Sequence, residues 1–322
     1  MIAASWSELF KQLEGLEIAV RGYPYNYQDL PMLRLYVYAT IKRIVGFKTL
    51  HKHLSLRPDV LVLVGLQRVP HRKTISERFR ALPEVVLSLV DQLTEQFMNS
   101  AAIDPSIGSV DSTLMQANGN IWHSQQMQAG ELPSCGNVDT QAHWGVSGCG
   151  EWVFGYRLHC LTLCGPSGVT WPATVAIHPA NIKDAKVFDD ELSPHLPSST
   201  KVLLGDGGYA YESCFLTCHQ RQISLIAPVE IKKNTPAERI EWAKLYLDPN
   251  IREVFALRKT TVEPFQGQLK ALFALEYLPC KGLANVRALC CFAVLSYILL
   301  MAFNLTHHQQ AAHIKDILLA LP

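Results

Sequence analysis

Two periods divide the chain. Up to about residue 100, apolar residues recur at helical spacing: Met32, Leu33, Leu35, Tyr36, Val37 and Ile41 form one run, and Val85, Val86, Leu89, Val90 and Leu93 another. Shorter amphipathic pieces lie between them. Thr49 to Leu54 follows Gly46, and Arg72 to Arg80 follows Pro70, with Thr74 and Glu77 spaced as a capping box that predicts a helix beginning at Thr74. Short helices ending in a basic one suggest a helix-turn-helix-like DNA reader, with Arg72, Lys73 and Arg78 facing the duplex. An ordinary helical module that packs on the rest of the chain or dimerises fits the same pattern.

Beyond residue 105 the period shortens. Ser109 to Met115 alternates as a strand, and a polar stretch runs on to Glu151. Phe154 to Cys164 is the next apolar run; Gly165-Pro166-Ser167-Gly168 is a turn signal, and Val169 to Ile177 is the expected hairpin partner. Asn181 to Leu192 then reads as a helix, Lys201 to Leu204 as a buried strand, Tyr211 to Arg221 as a helix, Ile223 to Pro228 as a strand, and the remainder as helical. Three antiparallel strands joined through helical crossovers to two parallel ones predict an α/β, RNase H-like mixed five-stranded sheet with flanking helices, preceded by an all-α domain. The expected division is 1–100, a helical DNA-binding or dimerisation domain, and 101–322, a catalytic domain with C-terminal helices.

Ala288 to Leu305 is apolar almost throughout. It falls short of the roughly 20 residues a membrane span needs, follows Arg287 and runs into His307-His308-Gln309-Gln310, so it predicts a core helix and no membrane partner. With 322 residues and 48% apolar content the chain can bury a large core. The net charge of +1 hides an uneven distribution: +4 over residues 1–100, −6 over 101–200 and +3 over 201–322. An acidic middle between basic ends suits metal-binding carboxylates framed by phosphate-contacting surfaces. Nine cysteines and no secretory leader point to a reducing, cytoplasmic setting. Cys160-x3-Cys164 and Cys214-x3-Cys218-His219 lack zinc-knuckle spacing and read as buried thiols.

The candidate chemistry lies in three carboxylates in unlike settings. Asp111 stands in Ser109-Val110-Asp111-Ser112-Thr113, Asp206 in Gly205-Asp206-Gly207-Gly208-Tyr209, and Glu263 seven residues before Lys270. The expected topology lays the first and fourth strands side by side, so the two aspartates converge, and a late helix can bring Glu263 to the same edge. Carboxylate oxygens are natural ligands of Mg2+, and a paired site about 3.5–4 Å across clamps both oxygens of a phosphoryl transfer. Phe265, Leu269, Leu272 and Phe273 give the Glu263 helix an apolar face, and Pro264 predicts that it starts or bends there. Lys270, Arg258 and Lys259 would hold DNA phosphates beside the carboxylates.

These motifs, over nearly the whole chain, resemble those of the DDE transposases of prokaryotic insertion sequences, in the broad superfamily numbered four and five. Ser109-Val110-Asp111-Ser112-Thr113 is similar to that family's first-aspartate strand. Asp139-x-x-Ala142-x-x-Gly145 followed by Gly155-Tyr156-Arg157-Leu158-His159 resembles its Asp-Ala and Gly-Tyr-Lys-x-His passage. Pro179-Ala180-Asn181-x-x-Asp184 looks like the lead-in to the helix after the hairpin, Gly205-Asp206-Gly207-Gly208-Tyr209 like the second-aspartate motif, and Val262-Glu263 with Phe265 or Gln266 and Leu269-Lys270 like the glutamate helix. Tyr27, Leu50, Leu54, Gly65-Leu66 and Arg78-Phe79 are similar to the helical module before the catalytic domain. Two positions depart from the pattern: Lys259 stands where the family has an arginine, with Arg258 one place earlier, and Arg157 stands where it has a lysine.

The resemblance implies an enzyme that cuts the terminal inverted repeats of a transposon and joins the freed 3′ hydroxyl to target DNA. Asp111, Asp206 and Glu263 would hold two Mg2+ ions, with Mn2+ a possible substitute. Arg157 and His159 join the DNA-contacting set, and a homodimer would act on two ends in concert. Two other classes remain open on the sequence: a domesticated DNA-binding protein that no longer transposes, and an RNase H-like nuclease that cuts without strand transfer.

Overall fold

The structure, a computed structural model, describes residues 5–18, 27–165, 169–231, 233–245 and 247–322. Among these, six helices precede the first strand: α1 (Trp6–Lys11), α2 (Asp29–Ile41), α3 (Phe47–Leu56), α4 (Pro58–Val64), α5 (Arg72–Ala81) and α6 (Pro83–Asn99). Proline opens α4 and α6, where a helix has no use for the missing N–H, and α4 stops at Gly65 in the left-handed conformation, φ 83°. The start of α5 differs from expectation. His71 Nδ1 accepts from the Lys73 N–H, so the helix begins at Arg72, Thr74 is already helical, and no Thr74–Glu77 box forms.

The second part of the chain runs β1 (Ile107–Gln116), α7 (Ser124–Gln128), β2 (His143–Val146), β3 (Trp152–Cys164), β4 (Thr170–Pro179) and α8 (Asp184–Val187), which continues as a wide π-type turn to Leu192. It goes on through β5 (Val202–Leu204), α9 (Glu212–Gln220), β6 (Ser224–Ile226), α10 (Ala237–Leu245), α11 (Pro249–Ala256), α12 (Val262–Phe273), α13 (Leu283–Thr306) and α14 (Ile314–Ala320). β3 is antiparallel to β1 and to β4, while β5 adds to β1, and β6 to β5, in parallel. The order β4-β3-β1-β5-β6 is the RNase H-like sheet that the sequence predicts.

The sheet has a sixth strand, β2, antiparallel to the start of β3. Its four residues, His-Trp-Gly-Val, are too few for alternation to register. The hairpin partners meet at Cys164 and Thr170; Pro166, Ser167 and Gly168 of the turn signal lie outside the described residues. The helix after β4 starts at Asp184, three residues later than its first expected residue.

α13 is the axis of the main core. Among the described residues it is the one helix long and apolar enough to cross a membrane, but 89% of its most apolar stretch is buried inside the protein. It packs against α1, α2, α5, α6, α12, α14 and β4, so the helices before residue 100 and one face of the sheet share a core. An apolar perimeter without a polar stripe is what a helix needs at the centre of such a core. The opposite sheet face packs Val110, Leu161 and Leu203 against Val187, Phe188, Tyr209, Cys214 and Cys218 from α8, α9 and their neighbours. Cys160, Cys164, Cys214 and Cys218 are buried, as expected, filling apolar space as thiols.

Candidate active site

Strand register brings the segments that carry the two aspartates together. β1 and β5 pair through Ile107 with Val202, Gly108 with Leu203 and Ser109 with Leu204. Two residues beyond the last pair stand Asp111, still within β1, and Asp206, just past the end of β5; paired strands lie about 4.8 Å apart. Asp111 lies within the β1–β3 ladder opposite Cys160, and its carboxylate accepts from the Ser112 N–H at 2.8 Å. Asp206 follows β5 and caps a tight turn, accepting from the Gly208 N–H at 2.8 Å. Tyr209 anchors that turn by burying its ring edge-on against Phe188.

Glu263 arrives from the other direction. α12 packs on β1, β3 and β4 with Val262, Phe265, Leu269 and Phe273 inward, leaving Glu263 exposed in the first turn. Pro264 is the third residue of that helix, where its missing N–H breaks no hydrogen bond, so the helix starts beside the proline as predicted. A short turn, Leu257–Thr260, precedes it and turns Arg258 inward.

The carboxylates feel one another. Burial pushes the Asp111 carboxyl up from 3.8 to about 7; the Arg258 guanidinium opposes this, and the charges of Asp206 and then, after the Ser112 N–H, of Glu263 act on it too. Asp206 is also raised, by burial first and then by the negative charge of Asp184, against the Gly208 N–H, Arg258 and Arg157. Arg258 Nη2 stands 3.1 Å from Asp111 Oδ2, both side chains nearly buried, and Arg258 Nε is buried without a hydrogen-bond partner. Among the described residues no three His, Cys, Asp or Glu side chains are grouped tightly enough to hold a metal as they stand.

A fourth carboxylate joins the site. Asp184 lies 3.6 Å from Arg157 Nη1 and 3.2 Å from His159 Nδ1. Burial would raise its carboxyl, but His159, Ser112 and Arg157 together hold it below the usual range. The His159 contact has the distance of an ion pair without the alignment of a hydrogen bond, so both imidazole nitrogens lack a well-made partner, and burial keeps the ring's pKa low. The sequence placed Asp184 in a motif but gave it no role; its partners lie on β3 and β1.

The basic residues expected on DNA separate into two groups. Arg72, Lys73 and Lys259 are exposed, and Lys270 is partly exposed and paired with Glu276 at 3.0 Å. Arg78 corrects the expectation: periodicity on a basic helix marked it as surface, but it is buried and ion-paired with Asp29 at the start of α2. His159 is also fully buried, so it is a second correction. Arg157 donates to Ser112 Oγ at 2.9 Å, Val146 O at 3.1 Å and Ala180 O at 3.4 Å, and Arg258 is ion-paired with Asp111 at 3.1 Å, so both guanidinium groups face partners inside the protein.

Comparison with known proteins bears on this arrangement. The family model described as the transposase DDE domain matches residues 103–299, well over half of the chain and all three candidate carboxylates. Among solved structures the chain is similar to a piggyBac transposase, described as a synaptic complex with hairpin DNA, at 10% identity and a TM-score of 0.45, over 97% of this chain and 75% of that one. No curated protein matches.

Proposed function

Since this chain belongs to the transposase DDE family, we propose that its DNA transposition chemistry is carried by Asp111, Asp206 and Glu263. The observation that supports the reading is the β1–β5 register: its last pair, Ser109 with Leu204, stands two residues before each aspartate, on the sheet that α12 covers with Glu263 in its first turn. The donor set fits Mg2+, or Mn2+ in its place: every candidate ligand is a hard carboxylate oxygen, and the mutual repulsion at Asp111 is what a divalent cation relieves. Mg2+ takes one or two carboxylates and completes its shell with water and phosphate, so an open arrangement suits it better than a closed cage. Two such ions, when bound, supply Lewis acidity and a nucleophile activated at neutral pH.

The protein's own groups do the rest. The Ser112 and Gly208 N–H groups aim the Asp111 and Asp206 carboxylates, and the Arg258 guanidinium offsets part of the Asp111 charge. Lys259 and Lys270 flank Glu263 and would hold backbone phosphates of the cut strand, while Arg72 and Lys73 present a second basic patch on α5. Water attack on a phosphodiester leaves a 3′ hydroxyl and a 5′ phosphate; attack of that hydroxyl on target DNA exchanges one phosphodiester for another. Neither step consumes an external energy source.

We further place the chain among the insertion-sequence transposases of superfamily four and five, acting in the cytoplasm on the terminal inverted repeats of its element and on target DNA. The helices before residue 100 would contribute to DNA binding, and a homodimer would hold two ends. The test is end cleavage by Asp111→Asn, Asp206→Asn and Glu263→Gln, in Mg2+ or Mn2+, with DNA binding measured in parallel. Loss of cleavage with retained binding supports the assignment; wild-type cleavage in any of the three overturns it. Joined strand-transfer products separate transposition from simple nuclease action.

A further inference from the structure

The backbone ladder that lays β1 beside β5 stops short of the carboxylates. Its last pair is Ser109 with Leu204, two residues before each aspartate. Past that point β1 remains pinned to β3, and Gly205 to β6 by a 3.0 Å bond to Ile226 O, but among the described residues no backbone pairing links the Asp111 segment to the Asp206 turn. Where strands part, side chains must hold the spacing.

A buried polar cluster crosses this gap on the sheet face opposite α12. Arg157 reaches from β3 to Ser112, the neighbour of Asp111, with a 2.9 Å hydrogen bond, and lies 3.6 Å from Asp184 at the start of α8. Ser112 Oγ accepts from Arg157, which leaves its own proton free for the Asp184 carboxylate that it helps to hold. On the far side Asp184 closes on the Asp206 turn: a Cβ at Gly208 would come within 2.7 Å of Asp184 Oδ2 and 3.0 Å of Asp206 Oδ1. A side chain at 208 would have to push the Asp184 carboxylate aside.

This cluster is costly. His159 is fully buried beside Asp184 with neither nitrogen well satisfied, and apolar packing of the same volume would be at least as stable. On the reading that Asp111 and Asp206 act as a pair, we infer that Asp184 is a positioning residue: with Arg157 and Ser112 it sets the separation of the two aspartates where the strand ladder has ended. Its removal leaves both carboxylates present and lets their spacing relax, so divalent-cation binding weakens before the maximal rate does.

The test is calorimetric titration of Mn2+ into the full-length protein without DNA, for wild type, Asp184→Ala, Asp184→Asn and Ser112→Ala, with melting curves and Mg2+-dependent end cleavage alongside. Loss of a group that orients metal ligands raises the dissociation constant by about 10–100-fold. That is the expected result for Asp184→Ala, with a smaller rise for Asp184→Asn, which keeps the shape, and the smallest for Ser112→Ala. The Mg2+ concentration for half-maximal cleavage rises in parallel, and the saturated rate largely recovers. If Asp184→Ala fails to fold, the other two variants carry the comparison. Unchanged Mn2+ binding in those folded variants, whatever their melting temperatures, overturns the inference. Failure of the underlying reading looks different: Asp111→Asn and Asp206→Asn would then cleave like wild type.

Discussion

The centre of α13 and the carboxylate edge of the sheet are both buried, and they are built on opposite principles. Around α13, Phe292 stacks on Phe79 with ring centroids 5.4 Å apart and meets Tyr36 at 5.0 Å, and each contact adds dispersion and removes apolar surface from water. At the edge, Asp111, Asp206, Asp184, Arg157, His159 and Arg258 place partly compensated charges in a medium that penalises them. The first region supplies the stability that lets the second hold side chains where water alone would not leave them. The molecule therefore separates what holds it together from what it works with.

The sharpest break between the regions is kinetic. Asp111→Asn, Asp206→Asn or Glu263→Gln should lower end cleavage by roughly 10³-fold or more, since each removes charge stabilisation used in the transition state. Circular dichroism should show an intact fold. The converse substitution is Phe292→Ala, expected to cost about 3–5 kcal/mol in urea unfolding through the cavity it leaves. The same variant should keep its half-maximal Mg2+ concentration at temperatures where it is folded; a shift there would show the two regions to be coupled.

The pH dependence sharpens the comparison further. Asp111 has its carboxyl raised to about 7, so the stability tied to its neutral form is complete below about 4 and is lost as pH rises through 7. Metal-free wild type should therefore lose stability relative to Asp111→Asn between about pH 4 and pH 7, by of order 1–4 kcal/mol. Mn2+ affinity of the wild type should rise over the same window as protons cease to compete. A difference in melting temperature that stays constant with pH would contradict the burial account of Asp111. The smallest effect is expected at Lys73, whose exposed pair with Glu77 at 3.8 Å makes Lys73→Ala worth no more than about 0.5 kcal/mol in urea unfolding. If end-DNA affinity falls nevertheless, α5 is a DNA surface.

What the sequence reveals of each region follows the range of the forces involved. α13 is legible because an unbroken apolar run needs no partner to be recognised, and β1, β3 and β4 because alternation and a turn signal are local. β2 escapes notice with four residues, and the start of α5 is misplaced because a histidine acceptor at 71 competes with the threonine at 74. Asp111, Asp206 and Glu263 stand out through their immediate neighbours, whereas Arg258 and Arg78 look like surface cations until Asp111 and Asp29 come up beside them in the fold. Asp184 is the clearest case: its meaning lies in Arg157, Ser112 and Gly208, and none of these is near it in sequence. Charge pairing across distant elements has no period to read.

The central claim is that Asp111 and Asp206 share a cation, and anomalous scattering from Mn2+ in crystals of the protein bound to an end-DNA duplex tests it most directly. The account predicts a peak within coordinating distance of both carboxylates, with Glu263 drawn towards the same site and Arg258 displaced from Asp111. A peak bound elsewhere, or a saturated crystal in which Arg258 still occupies the Asp111 carboxylate and no density bridges the two aspartates, would contradict it.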